Sequence, residues 1–186
     1  MKKYLLVLLF ALLVGCVPSL NPFYLDSDII FDSALIGAWT YEKETWNFTG
    51  DGEKRYKFVH TDDQGHTAQF VANLIKIKDR RFLDFFIQKI GSDDIDPWAG
   101  ASLIPGHLLI KVERIGATLD IAAMNPDWLD EHLKKNPKAI AHQRASDKRV
   151  LLTASTEELQ KFVMEFAEGE QLFGEVGKLQ RKKKDP

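Results

Sequence analysis

The sequence contains a single cysteine, Cys16, among its 186 residues. One thiol excludes an intramolecular disulfide and every metal site built from several cysteines. A glycine-rich phosphate loop is missing, and so are a Gly-x-Ser-x-Gly turn, a Ser-x-x-Lys pair and a His-Glu-x-x-His helix. The sequence therefore shows no motif for nucleotide binding, zinc-dependent hydrolysis or a serine nucleophile, and we expect no cofactor and no enzymatic activity.

The sequence also has little net charge. The formal net charge is −2, which is too small to draw the whole molecule to nucleic acid. Basic residues concentrate at the end of the chain, from Arg181 to Lys184. We expect no nucleic-acid partner, and we interpret residues 169–186 as a basic, disordered tail.

Only one long apolar run is present, from Tyr4 to Val14, and it follows the positive pair Lys2 and Lys3. The run is too short to span a bilayer comfortably. A basic start, a short apolar run and small residues after it are typical of an export signal.

The run ends in Leu13-Val14-Gly15-Cys16, which resembles the lipobox of bacterial lipoproteins. The resemblance implies that residues 1–15 are a signal peptide, and that Cys16 receives fatty acyl groups such as palmitate and thereby holds the protein at a membrane. Val17 rather than aspartate follows the cysteine, which in a diderm host implies the outer membrane, facing the periplasm. An ordinary signal peptide or a membrane anchor, with an incidental cysteine, is the alternative.

Residues 16–33 contain Pro18 and Pro22 and predict a lipidated tether running onto the domain. Within it, Asn21-Pro22-Phe23-Tyr24 is too aromatic for a pure linker, and we expect it to lie against the domain surface. Residues 34–168 show the alternation of apolar and polar residues that half-buried strands require. Short turns separate the strands, so we expect neighbouring strands to pair antiparallel. Eight strands are predicted, at 35–41, 45–48, 55–60, 67–77, 81–88, 107–115, 118–124 and 149–153.

Two helices are predicted beside these strands, at 126–136 and 156–168. Asn125 followed by Pro126 is a favourable helix start. Ser155 and Glu158 have the spacing of a capping box. The fold class is therefore mainly β with two helices, and eight strands suffice to form an antiparallel barrel or a strongly curved sheet.

Gly37-Ala38-Trp39 on the first predicted strand resembles the Gly-x-Trp signature of lipocalins. In that family the tryptophan plugs the closed end of the barrel, beneath an arginine from a late strand. The resemblance implies a lipocalin-like barrel in which Arg149 lies over Trp39. The helix at 126–136 departs from the family pattern. The layout is also similar to that of bacterial lipoproteins without an assigned activity.

Aromatic residues on the strands are the candidate ligand-binding residues, and we name Trp46, Phe58 and Phe85. Trp98 joins them because it lies in the longest connection, residues 90–106, which we expect at the open end of the barrel. The same aromatic stripe is also what a solid core requires. A hollow barrel and a filled barrel both remain open.

Polar candidates are few. We expect no metal site. His60 and His66 flank an acidic turn and are the alternative candidates for a divalent metal, but their spacing differs from common zinc patterns, and a solvated polar hairpin is the expected structure. Asp84 and Asp120 lie on predicted strands and are expected to face water, with a buried acidic pair as the alternative.

Three functions follow from these features. The first is a lipid-anchored envelope protein that binds an apolar small molecule or an envelope partner without catalysis. The second is a structural or protein-interaction lipoprotein with a filled barrel. The third is a hydrolase whose site assembles from residues scattered along the chain. A large interior cavity favours the first, a solid interior with an exposed apolar surface the second, and a polar cluster in a cleft the third.

Overall fold

The computed structural model describes residues 17–90, 105–144, 149–169 and 171–182. The described chain is mainly β, with a closed barrel of eight antiparallel strands and two helices, as the sequence predicts. The strands are β1 (Pro18–Ser19), β2 (Ile29–Ile30), β3 (Gly37–Tyr41), β4 (Glu44–Asp51), β5 (Arg55–Thr61), β6 (Thr67–Ile77), β7 (Arg80–Ile90), β8 (His107–Ile115), β9 (Thr118–Ala123), β10 (His142–Arg144), β11 (Val150–Leu152) and β12 (Gly177–Arg181). The helices are α1 (Pro126–Lys135) and α2 (Thr156–Glu165).

The barrel runs in the order β8, β7, β6, β5, β4, β3, β12 and β9, and closes where β9 pairs with β8. β12, the last of the described strands along the chain, lies between β3 and β9. Our interpretation of residues 169–186 as a disordered tail is therefore wrong for Gly177–Arg181. β12 closes the barrel by pairing with a strand on each side, and its Leu179 is fully buried in the interior.

The predicted strand at 149–153 lies outside the barrel. It forms β11, which pairs antiparallel with β10 and parallel with β1. β1 in turn pairs antiparallel with the start of β8. These three short strands continue the sheet beside the start of β8. In the barrel, β12 occupies the place that we predicted for residues 149–153.

Side chains alternate between two separate cores. On β7, Leu83 and Phe85 point into the barrel, whereas Phe82 and Asp84 point outward. The outward apolar side chains pack beneath the two helices, which bury Leu129, Leu133, Leu159, Phe162 and Val163 against the barrel wall. This wall is therefore apolar on both faces, which fits its nearly continuous hydrophobic strands.

Both helices begin as their capping residues predict. The Asn125 side chain accepts a hydrogen bond from the Trp128 amide at 3.0 Å, with Pro126 in the first turn. Ser155 and Glu158 form the expected capping box. α1 ends before Asn136, and α2 ends at Glu165, slightly earlier than the predicted 168.

Residues 17–33, predicted as a tether running onto the domain, are folded against it, as expected for residues 21–24. Val17 is 4% exposed and Phe23 is fully buried. Ile29 and Ile30 pair antiparallel with Ile75 and Leu74, near the end of β6. The segment is folded along the outside of the barrel because its apolar residues complete the outer core.

One end of the barrel is plugged by residues that precede β3. Leu35 is fully buried in the interior core, and its carbonyl accepts a hydrogen bond from Trp39 Nε1 at 2.9 Å. The guanidinium of Arg181 lies over the Trp39 ring. Arg149, which the lipocalin resemblance assigned to this place, is exposed and precedes β11 outside the barrel.

Gly37 makes this arrangement possible. Its φ is +128°, a conformation that side chains rarely adopt, and a Cβ placed on it would lie 3.0 Å from the Arg181 guanidinium. The glycine therefore leaves room for the arginine that covers the tryptophan two residues later.

Candidate functional site

Aromatic rings fill most of the barrel interior. The ring of Phe58 lies 4.7 Å from that of Phe48, 4.6 Å from that of Phe85 and 5.0 Å from that of Trp46, measured between centroids. These spacings are those of rings in direct contact. The aromatic stripe predicted on the strands is thus a packed core over most of the length of the barrel.

A cavity of about 50 Å³ remains at the end opposite the plug. Three of the predicted ligand-binding residues, Trp46, Phe58 and Phe85, line it, whereas Trp98 lies outside the described residues. Such a volume holds only a few atoms. The remaining lining residues are His60, Phe70, Leu108 and Ile110.

Two polar groups adjoin this cavity. His60 Nε2 lies 3.3 Å from Glu44 Oε2. Trp46 is 2% exposed, and within the described chain its Nε1 has no hydrogen-bond partner. A buried N–H without a partner is uncommon and costs free energy, so a polar ligand atom that accepts a hydrogen bond from Trp46 Nε1 would be favoured here.

The two candidate histidines of the sequence analysis are not brought together. His60 contacts Glu44 on β4, whereas His66 Nδ1 lies 2.9 Å from Asp62 Oδ2 within its own turn. This hydrogen bond from His66 lowers the pKa of Asp62 below its ordinary value. In the ranges that the structure describes, no group of three or more His, Cys, Asp or Glu side chains has the geometry of a metal site.

A larger concavity than the barrel cavity lies outside the barrel, between α1 and α2. This interhelical groove has a volume of about 490 Å³. Aromatic side chains form one wall: the ring of His132 stacks on Trp128 at 4.7 Å and meets the edge of Phe166 at 4.9 Å. The groove is lined by His132, Asn136, Pro137, Lys138, Ala139, Phe162, Glu165 and Phe166.

The groove follows from how the helices end. Asn136-Pro137 stops α1, because proline cannot continue the helix, and the chain turns away before Ile140 returns to the core. On α2, Phe162 and Phe166 are one turn apart and share the face toward α1, with rings 5.1 Å apart. The sequence placed these residues on amphipathic helices. The sequence feature that could have indicated a groove is the aromatic face that Phe162 and Phe166 share.

A buried polar cluster lies on the outer wall, and the sequence prediction of exposed aspartates is wrong here. Asp84 is fully buried; its Oδ1 is 2.7 Å from His107 Nδ1, and its Oδ2 accepts a hydrogen bond from the Phe23 amide at 3.1 Å. The Tyr24 hydroxyl accepts a hydrogen bond from Asn73 Nδ2 at 3.0 Å. Burial raises the pKa of Tyr24, and the negative charge of Asp84 raises it further.

An Asp–His pair supplies two of the three members of a nucleophilic triad. Within the described residues, however, no serine, threonine or cysteine side chain hydrogen-bonds to His107. What the contacts do show is that Asp84 holds the backbone of the N-terminal segment against β7. The signal for its burial was the pair of aromatic neighbours on the same strand face, Phe82 and Phe86.

Asp120 is also buried, at 5% exposed, but it is not paired with Asp84. Its carboxylate accepts a hydrogen bond from Arg114 Nε at 3.0 Å, and it faces Lys178 across the seam between β9 and β12. Burial raises the pKa of Asp120, but hydrogen bonds from Thr118 and Arg114 outweigh this, and the pKa lies below its ordinary value.

Cys16 precedes the first described residue, so the structure places neither the predicted lipid acceptor nor the residues before it. Over the part of the chain that is described, no helix combines the length and the apolar character needed to cross a membrane.

Comparison of the chain with protein-family models, with curated proteins and with solved structures found no match.

Proposed function

We propose that this protein is a lipid-anchored, non-catalytic interaction module of the bacterial envelope, which binds a partner polypeptide in the interhelical groove. The observation that carries the proposal is the contrast between a barrel packed with aromatic rings and a groove of about 490 Å³ on its outside. A solid barrel serves as a scaffold, and the groove offers the concave apolar surface that binding requires.

The anchor in this proposal is lipid on Cys16, following cleavage of residues 1–15. Support comes from the lipobox sequence and from the first described residue, Val17, which already belongs to the folded domain. In a diderm host the protein belongs to the outer membrane, facing the periplasm.

Metabolic labelling with a radioactive fatty acid tests the anchor. Wild-type protein should incorporate the label, and Cys16→Ala should incorporate none and retain its signal sequence. Ser19→Ala keeps the cysteine and is the matched control. Equal labelling of wild type and Cys16→Ala would overturn the anchor.

The occupant that we assign to the groove is a polypeptide segment that presents an apolar side chain. Phe162 and Phe166 offer an apolar surface for that side chain. Lys138 and Glu165, both exposed on the lining, offer opposite charges to the polar backbone and to flanking residues of such a segment. A peptide therefore matches the groove better than a purely apolar molecule does.

A random peptide library displayed on phage tests this assignment. Peptides selected on the purified domain should share an apolar anchor residue and should bind Ala139→Trp, which fills the groove, at least tenfold more weakly. Asn47→Trp, on the exposed outer face of β4, is the matched control and should bind as wild type does. Selected peptides that bind Ala139→Trp as tightly as wild type, or a selection that enriches no peptide, would contradict peptide binding in the groove.

A second candidate function is capture of one end of an apolar small molecule at the barrel end, which the cavity beside Trp46 favours. A fatty acid should then quench tryptophan fluorescence saturably. Ile110→Phe, which fills the cavity, should abolish this quenching, and Trp98→Ala should reduce it. Absence of saturable quenching in a well-folded domain would exclude this candidate and leave the groove.

A further inference from the structure

Two tryptophans lie side by side inside the barrel, and their indole N–H groups differ. Trp39 on β3 and Trp46 on β4 are direct partners in the antiparallel register, so both side chains lie on the interior face. Trp39 Nε1 donates to the Leu35 carbonyl at 2.9 Å, whereas Trp46 Nε1 is buried without a partner in the described chain. Because an indole N–H can only donate, the group that Trp46 lacks is an acceptor.

The Trp46 ring is surrounded by side chains that line the barrel-end cavity. Its centroid lies 5.0 Å from that of Phe58, 5.9 Å from that of His60 and 6.0 Å from that of Phe85. All four residues line the cavity. This cavity is therefore the space in which a ligand could supply the missing acceptor.

The size and the lining of the cavity restrict the ligand. A volume of about 50 Å³ accommodates a group of about four or five non-hydrogen atoms. Apart from the Trp46 N–H and the His60 ring, the lining consists of hydrocarbon, so most of that group must be carbon. A pure hydrocarbon, however, would leave the Trp46 N–H without a partner.

Charged groups fit the cavity less well than neutral ones. His60 Nε2 lies 3.3 Å from Glu44 Oε2, so a carboxylate of the chain already lies next to the cavity wall. A ligand carboxylate would lose its water close to that negative charge. An ammonium group would bring only donors to an indole that itself only donates. A neutral oxygen acceptor on a small apolar group avoids both costs.

We propose that the barrel-end cavity binds a neutral carbonyl group, in a small ketone or ester or at the end of a longer apolar molecule, whose oxygen accepts a hydrogen bond from Trp46 Nε1. The proposal names the ligand class for the second candidate function above and rests on it. The carbon atoms beside the carbonyl contact Phe58, Phe85 and Ile110, each of which is at most 3% exposed.

Nuclear magnetic resonance of the indole N–H groups tests the proposal. The isotope-labelled full chain from Cys16 onward is titrated with butanone and, separately, with isopentane, which has nearly the same shape but no acceptor. Butanone should move the Trp46 proton downfield and saturably, because a hydrogen bond forms. Isopentane should cause no downfield movement. The Trp39 proton, which already has an acceptor, is the internal control and should stay in place.

Two variants separate the hydrogen bond from the cavity, with binding followed by the methyl signals of Leu108 and Ile110. Trp46→Phe keeps an aromatic ring but removes the donor. It should bind butanone at least fivefold more weakly than wild type does and isopentane within twofold of wild type. Ile110→Phe fills the cavity and, followed by Leu108 alone, should bind neither compound.

A Trp46 proton that does not respond saturably to butanone would overturn the proposal. So would a Trp46→Phe variant that binds butanone as tightly as wild type does, or a water molecule that stays in contact with the Trp46 proton at saturating butanone. Saturable quenching by a fatty acid in the same protein would then leave the second candidate function in place. If Trp46→Phe does not fold, the wild-type titrations decide.

Discussion

The guanidinium carbon of Arg181 lies 4.1 Å from the centroid of the Trp39 ring. Arg181 Nη1 also donates a hydrogen bond to the Ile36 carbonyl at 2.9 Å, and Nη2 donates to the Ala34 carbonyl. One side chain near the end of the chain thus holds the plug, the first barrel strand and the last barrel strand together. The stability of the plugged end should depend on it.

Arg181→Ala should lower the free energy of unfolding by about 1–2 kcal/mol, because it removes a cation–π contact and hydrogen bonds to two carbonyls. Urea denaturation followed by tryptophan fluorescence measures the change. Arg181→Lys keeps the charge but not the planar fork and should fall between wild type and Arg181→Ala. Unchanged stability in both variants would show that the contact contributes nothing.

Trp39→Ala should cost more, about 3–5 kcal/mol, because it leaves a large cavity in the interior core. The double variant Trp39→Ala with Arg181→Ala should cost less than the sum of the two single variants, since the side chains are in contact. Strict additivity in this double-mutant cycle would contradict a direct interaction.

Deletion of residues 177–186 should unfold or aggregate the domain. It removes Leu179 from the core and leaves β3 and β9 with unpaired edges, which favour association with other chains. Deletion of residues 183–186 alone, which keeps β12, is the matched control and should melt as wild type does. Thermal unfolding by circular dichroism and size-exclusion chromatography distinguishes the two outcomes.

The lowered pKa of Asp120 predicts a pH dependence. A carboxylate whose pKa is lower in the folded state stabilises the protein above its unfolded pKa of about 4, and this contribution is lost as the pH falls through the folded pKa. The free energy of unfolding should therefore drop less between pH 6 and pH 3 in Asp120→Asn than in wild type. Asp63→Asn, in the exposed turn after β5, should behave like wild type.

Asp84→Ala should loosen the N-terminal segment, because the Phe23 amide and the His107 ring lose their common partner. A buried group left unsatisfied costs about 1–3 kcal/mol. Hydrogen exchange of the amides in residues 20–30 should accelerate, whereas Asp84→Asn, which keeps an acceptor, should have a smaller effect. Unchanged exchange in Asp84→Ala would show that the segment is held by apolar packing alone.

Local patterns in the sequence were sufficient for most secondary structure. The alternation of side chains between the two faces of each strand predicted β4 to β9, because successive side chains of a strand point to opposite faces. The caps at Asn125 and Ser155 predicted the helix starts because they satisfy backbone amides within a few residues. Trp46, Phe58 and Phe85 were correctly placed in the interior by the same alternation.

Only the tertiary structure decided which eight strands form the barrel. The short segment Gly177–Arg181 has no strong local signal, and it becomes a strand because β3 and β9 both present open edges to it. Residues 150–152 have a stronger apolar pattern but pair outside the barrel. Strand order depends on pairing between distant parts of the chain, which a local pattern does not encode.

The sequence by itself determined that the chain is mainly β and that helices follow the caps Asn125 and Ser155. The burial of Asp84, the position of Arg181 over Trp39 and the groove between α1 and α2 were decided only by the tertiary structure. Each of them depends on two segments that are far apart in the chain and meet only when the barrel closes and the helices pack on its wall.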